Sequence, residues 1–298
     1  MLKIFLPWLG LLLMGVLWGL SFSFTRMAVE NGGTPLGIAF WQTTISSVIL
    51  LGFTSLRGRH FSPQKHHIRP FIIIALLGVI IPGVFYYLAA SRVPSGVLAI
   101  TVTLVPIITY CLALGLGFER FSPLRISGVI CGMIAILLLV GPETSLPDPA
   151  ATPWLLLACL CSVCYAGENI YLARRTISDI GPIRIACGMN VTGALILGPL
   201  AIGFDQMLWP AYPFAALEYS VLGLAVITAI AYTMYVLMVK NNGPVFASQV
   251  GYIVTISGVI WGIAIFGETH STWVWAALAL MMIGLALVSP NRRYHAPS

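Results

Sequence analysis

Apolar runs of about twenty residues follow one another along almost the whole chain, separated by short polar gaps. At 1.5 Å of rise per residue, a run of roughly 20 crosses the ~30 Å hydrocarbon core of a bilayer as a single helix. Ten spans are predicted: Trp8–Val29, Leu36–Leu56, Pro70–Ala90, Gly96–Gly117, Leu124–Gly141, Trp154–Ala173, Ile183–Gly203, Ala216–Val239, Phe246–Phe266 and Trp273–Val288. Each is about twice the length of a barrel strand, and a continuous helix satisfies its own backbone groups in lipid. The fold class expected is therefore an all-α membrane protein of ten transmembrane helices. The first run follows a single lysine, Lys3, and has no small-residue cleavage site after it, so it is expected to be a retained helix rather than a signal peptide.

Composition sharpens this picture. Only 8% of residues are charged, against about 25% in soluble domains. The gaps are too short for a soluble domain. With the N-terminus inside, thirteen basic residues fall at the inner side (Lys3, Arg57, Arg59, Lys65, Arg69, Arg120, Arg125, Arg174, Arg175, Arg184, Lys240, Arg292 and Arg293), while Arg26 and Arg92 fall outside. That bias predicts an inner-membrane protein with both termini cytoplasmic. The net charge of +6 is spread along helix ends, which points to anionic lipid heads and not to nucleic acid. His66 and His67, in a basic loop, are expected to be solvated.

The two ends of the chain echo each other. "LGLGFERFSPLRISG" closes the fourth span and "GIAIFGETHSTWVWAA" the ninth, which puts Glu119 and Glu268 149 positions apart. Both glutamates are expected to be structural, and Ser122 and Ser271 to cap the helices that follow. Tyr86 and Tyr235 match at the same offset. "LWGLSFSFTR" in the first span lies against "CYAGENIYLA" in the sixth, pairing Trp18 with Tyr165 and Ser21 with Glu168. Two five-helix repeats follow, 1–145 and 150–298. An odd number of spans per repeat inverts the second relative to the first, the arrangement of secondary transporters with a shared midplane site.

These features together, with "LWGLSFSFTRMAV" on the first helix, "TPLGIAF" opening the second and a glutamate closing the fourth and ninth, resemble the EamA-type branch of the drug/metabolite transporter superfamily. The resemblance covers essentially the whole chain. It implies a carrier with a cavity among helices of both halves; such families include exporters of amino acids and other metabolites, and some carry choline. The position after "IAFW", often arginine in that family, is Gln42 here, which removes a cation from the second helix.

The candidate site is drawn from polar and aromatic residues in mid-span. They are Trp18 and Ser21 (first), Gln42 (second), Tyr86 (third), Thr101 and Thr103 (fourth), Tyr165, Glu168 and Asn169 (sixth), Tyr232 (eighth), and Gln249 and Tyr252 (ninth). Asn190 in the seventh is a further polar position. Pro106 removes a backbone donor within the fourth span and should kink it, a candidate gating hinge. Gly15-xxx-Gly19, Gly128-xxx-Gly132 and Gly258-xxx-Gly262 are expected to let helices approach closely. No phosphate-binding glycine loop precedes any of the three lysines, which excludes ATP-driven transport by this chain. No hydrolase or metal constellation appears, and Cys161-Ser-Val-Cys164 lacks a second ligand pair, so no metal or cofactor is expected.

Glu168 is the outlier, because a carboxylate costs roughly 2.5–3.5 kcal/mol at the centre of a membrane helix. Lying six residues before Arg174, it either reaches toward Arg175 and the cytoplasmic headgroups or lines the cavity with Trp18 and Tyr165. In the cavity it would hold an ammonium or a proton. The expected function is a secondary carrier of small amine-bearing metabolites working by alternating access. A carrier of choline-like quaternary amines and a channel or scaffold are the alternatives. The expected partners are a small-molecule substrate and the lipid bilayer, with the chain a monomer or weak dimer.

Overall fold

A computed structural model describes residues 2–56, 61–141, 146, 148–172, 181–242, 246–247 and 249–288, with side chains from residue 7. The basic residues Arg57, Arg59, Arg174, Arg175, Arg292 and Arg293, and much of the stretch joining the two halves, lie outside them.

Among the described residues eight helices are long and apolar enough to cross a membrane: Pro7–Glu30, Pro35–Leu56, Lys65–Ala90, Ser95–Gly115, Pro123–Val140, Pro149–Leu172, Pro182–Gly203 and Ala216–Asn242. Two shorter apolar helices, Val250–Phe266 and Thr272–Val288, complete ten. The ninth thus begins its continuous helix later than the hydropathy implied. Prolines at the first helical turn start the fifth and seventh spans, where the missing N–H has no intrahelical partner to lose. The ninth ends on Gly267 in the left-handed conformation (φ 62°), which a side chain would strain. Of the two expected caps, Ser271 Oγ accepts from Val274 N at 3.4 Å. Ser122 makes no side-chain cap; instead its N–H donates to the Tyr110 hydroxyl at 3.2 Å.

Helix pairing is preserved when the two halves are exchanged. The first span packs on the ninth as the sixth packs on the fourth, and the first packs on the eighth as the sixth packs on the third. The second with the seventh, and the fifth with the tenth, are partners across the exchange. Small residues permit these approaches. A Cβ on Gly19 would stand 2.1 Å from Ser257 Oγ, and one on Gly128 would stand 2.6 Å from the Gly284 carbonyl, so backbones touch where the glycine spacings fall.

Three helices are irregular. The fourth breaks at Val102–Thr103, between Ser95–Thr101 and Leu104–Gly115. Pro106 offers no N–H to the Val102 carbonyl, and Val105 N takes that acceptor instead at 3.0 Å, tightening the turn. The third and eighth spans, equivalent in the two halves, each contain one π-helical turn, Leu76–Ile80 and Thr228–Tyr232. His67, expected to be solvated, is buried, with Nδ1 accepting from Gln64 N at 3.3 Å and its ring against Phe71. Packing at the start of the third span overrides the polarity of its loop.

Candidate functional site

A cavity of about 200 Å³ lies between the spans; among the described residues eight of the ten spans line it, and the fifth and tenth contribute none. Both π-helical turns face it, through Gly78 and Val79 in one and Thr228 and Tyr232 in the other. A π turn inserts an extra residue and redirects the side chains that follow, a device frequent at functional sites.

Of the residues singled out from sequence, Trp18, Ser21, Gln42, Tyr86, Tyr165, Glu168, Asn169, Tyr232 and Pro106 line this cavity. Glu168 points inward and is 4% exposed, with Oε1 accepting the Tyr232 hydroxyl at 2.6 Å. Its carboxylate rests over Gly78, where a Cβ would lie 2.3 Å from Oε1. The glycine is therefore what leaves room for the acid. Asn169, one residue on, accepts the Tyr235 hydroxyl at 2.7 Å through Oδ1. Gln42 bridges two other helices, accepting the Tyr87 hydroxyl and donating to Thr228 Oγ1 at 2.6 Å.

The aromatic walls repeat across the two halves. Trp18 sits 5.4 Å from Tyr235, and Tyr165 stacks 6.4 Å from Tyr86. Exchanging the halves turns one pair into the other, since Trp18 matches Tyr165 and Tyr235 matches Tyr86. Ser21, equivalent to Glu168, also faces the cavity, where its hydroxyl donates to its own helix at Trp18 O, 2.6 Å away.

Five of the polar positions read from the sequence are placed elsewhere. Thr101 stands behind the wall and shares a 2.9 Å hydrogen bond with Tyr86. Thr103 is buried against the Ile100 carbonyl and Met281. Gln249 precedes the ninth helix as its N-cap, and Tyr252 lies outside the lining set. Asn190 is buried, donating to the Ala186 carbonyl at 2.8 Å. Conversely, Phe22, Thr25, Tyr87, Thr228 and Tyr235 line the cavity without having been singled out for it. The repeat offset from Tyr86 already pointed to Tyr235.

At one end of the bundle, Glu268 does more than close a helix. Its Oε1 accepts from Ser95 N at 2.7 Å and Ser95 Oγ at 2.8 Å, and its Oε2 accepts from Gly96 N at 3.0 Å. Arg26 Nη1 pairs with Oε1 at 2.7 Å, with the guanidinium 4.3 Å over the Phe266 ring. One buried carboxylate thereby ties the ends of the first, fourth and ninth spans, seated at the N-terminus of the fourth where the helix dipole favours it. His270 Nε2 stands 3.5 Å from Oε2; burial holds this imidazole below its ordinary pKa, with Glu268 opposing. The equivalent Glu119 pairs with Arg125 at 2.9 Å, within its own hairpin. Among the described residues no group of three metal-ligating side chains occurs.

The sequence model of the EamA-like transporter family matches twice, over residues 6–141 and 152–289. The chain is 27% identical over 283 residues to the uncharacterized inner membrane transporter YedA of Escherichia coli (strain K12), covering 92% of this chain and 87% of that one. It is 22% identical over 200 residues to the uncharacterized transporter YoaV of Bacillus subtilis (strain 168), covering 67% and 68%. A crystal structure of a protein 18% identical superposes with a TM-score of 0.66, over 93% of this chain and 94% of its own, a likeness of fold alone. With that family pattern present once in each half of a helical bundle that encloses a shared cavity, the chain belongs to the EamA-like transporter family and is a membrane transporter.

Proposed function

We propose that the protein is a secondary carrier of small amine-bearing metabolites that works by alternating access. One observation carries the substrate class: the buried Glu168 carboxylate opens onto a cavity walled by Trp18, Tyr86, Tyr165, Tyr232 and Tyr235. An ammonium beside it would neutralise the charge and gain cation–π attraction, worth about 2 kcal/mol when desolvated. A proton on the same carboxylate would compete with the amine, which makes Glu168 the candidate coupling site.

Alternating access draws support from the matched helix pairing and from the two ends. An inverted pair of five-span repeats presents equivalent gates to opposite sides. Here one end is tied by Glu268 across three spans, while the described contact of Glu119 stays within one hairpin. A stronger tie at one end than at the other fits a carrier better than an open channel. The distribution of basic residues supports an orientation with the Glu268 end outside and both termini in the cytoplasm.

Counterflow in proteoliposomes tests the reading. Preloaded phenethylamine or choline is expected to accelerate uptake of the same labelled solute, saturably, and Glu168→Gln is expected to abolish it; amino acids are assayed alongside. Failure of every amine and amino acid to accelerate uptake would leave the carrier reading without support.

A further inference from the structure

We infer that the cavity selects monocations lacking a carboxylate, so that free amines and amine derivatives are its ligands and zwitterionic amino acids are not. This rests on the amine reading above and narrows it. Among the described residues the lining includes one carboxylate, Glu168, and no lysine, arginine or histidine. An amino acid entering the cavity would bring its own carboxylate next to that acid, with no cation among those residues to receive it.

Hydrogen-bond donors are no substitute, because those nearest the acid are already directed at the protein. The hydroxyl of Tyr232 is given to Glu168 itself, that of Tyr235 to Asn169, and that of Tyr87 to Gln42. The Gln42 amide is given to Thr228, and the Ser21 hydroxyl to the Trp18 carbonyl. Recruiting the Tyr232, Tyr235 or Tyr87 hydroxyl for a ligand carboxylate would take a bond from a buried acceptor, a cost set against the new bond. What the walls leave available to a ligand is one acid, the neutral donors of Trp18 and Tyr165, which carry no charge to balance a second carboxylate, and several aromatic faces, whose quadrupoles attract cations and repel anions.

Size points the same way. At about 200 Å³ the cavity falls below the ~300–1,000 Å³ usual for drug-sized ligands. A compact head with a short apolar body suits that space.

Three probes with the same benzyl body and ammonium isolate the effect: phenethylamine, phenylalaninamide and phenylalanine. The amide matches the bulk of the carboxylate without its charge. Binding to the purified full chain is measured by competition against labelled phenethylamine. The amine and the amide are expected to bind within about threefold of each other, and phenylalanine about tenfold or more weaker, which corresponds to about 1.4 kcal/mol. Phenylalanine binding within about threefold of its amide overturns the inference while leaving the amine carrier standing. If neither these probes nor tetramethylammonium binds, the amine reading falls and this inference with it.

Discussion

Replacing Glu268 by glutamine should open the end of the cavity that the carboxylate now holds shut. The substitution keeps the side chain's shape and one acceptor oxygen but removes the charge shared by Ser95 N, Ser95 Oγ and Gly96 N. Charge-assisted bonds are about twice as strong as neutral ones, so each donor loses about 1 kcal/mol, and the three together lose about 3 kcal/mol. Arg26 adds little to that figure, because it retains Glu30 at 2.7 Å and is partly exposed. A loss of about 3 kcal/mol multiplies the open population by about 100-fold. The reporter is a cysteine introduced as Thr25→Cys, with the six native cysteines replaced by alanine, at a buried position on the cavity wall one residue from Arg26. A membrane-impermeant maleimide is applied to proteoliposomes from the Arg26 side, and its labelling rate is compared with and without Glu268→Gln. Arg26→Gln, which leaves the Ser95 and Gly96 donors bound, should raise the rate much less. An unchanged rate in Glu268→Gln, in protein that still binds phenethylamine, refutes the assignment of this cluster as the closing contact.

Three further outcomes are expected. Gly78→Ala should weaken phenethylamine binding by about tenfold or more, because the new methyl would overlap the Glu168 carboxylate at 2.3 Å. Gly83→Ala, whose Cβ would meet Tyr87 at an ordinary 3.7 Å, should bind nearly as the parent does; equal effects would remove the steric reasoning. Gly19→Ala should lower the apparent melting temperature by an amount equivalent to about 1–3 kcal/mol, since its Cβ would stand 2.8 Å from the Gly258 backbone nitrogen. Gly52→Ala, with nothing within 4 Å, should be neutral or slightly stabilising. Burial keeps the His270 imidazole less basic than in the unfolded chain, so the unfolded state takes up the proton first as pH falls through about 6.5, and stability declines there. A His270→Phe chain should lose that component of its pH-dependent melting; an equally steep decline in the variant would contradict it.

Ten spans and their duplication were legible because hydrophobic length and the recurrence of glutamate, serine and tyrosine at one offset survive in the residues themselves. Which way each polar residue points was not. In a soluble helix the polar face marks the solvent side, but lipid makes both faces of these helices apolar, so no 3.6-residue contrast separates cavity from bilayer. Thr103 and Gln249 therefore looked no different from Ser21 and Gln42. Glu168 stood between a cytoplasmic arginine and the cavity, and only the placement of Gly78 and Tyr232 beside it decides the matter. The π turns were hidden for a related reason: an extra residue in a uniformly greasy run shifts the phase of a pattern that was never visible. Glu268 was recognised as ending a helix, but its partners Arg26 and Ser95 lie more than 170 positions away.

The matched aromatic pairs, Trp18 with Tyr235 and Tyr165 with Tyr86, relate the two halves of the cavity wall, and the one acid in the described lining stands at one of a pair of equivalent sites, Ser21 and Glu168. Cargo preference is thus separable from architecture. Moving the acid to position 21, placing acids at both positions or removing them altogether changes the number and location of charges; Gly78 and Tyr232 lose their contact with the acid when it leaves position 168, while the close approach of Gly19 to Gly258 and of Gly128 to Gly284 involves neither position.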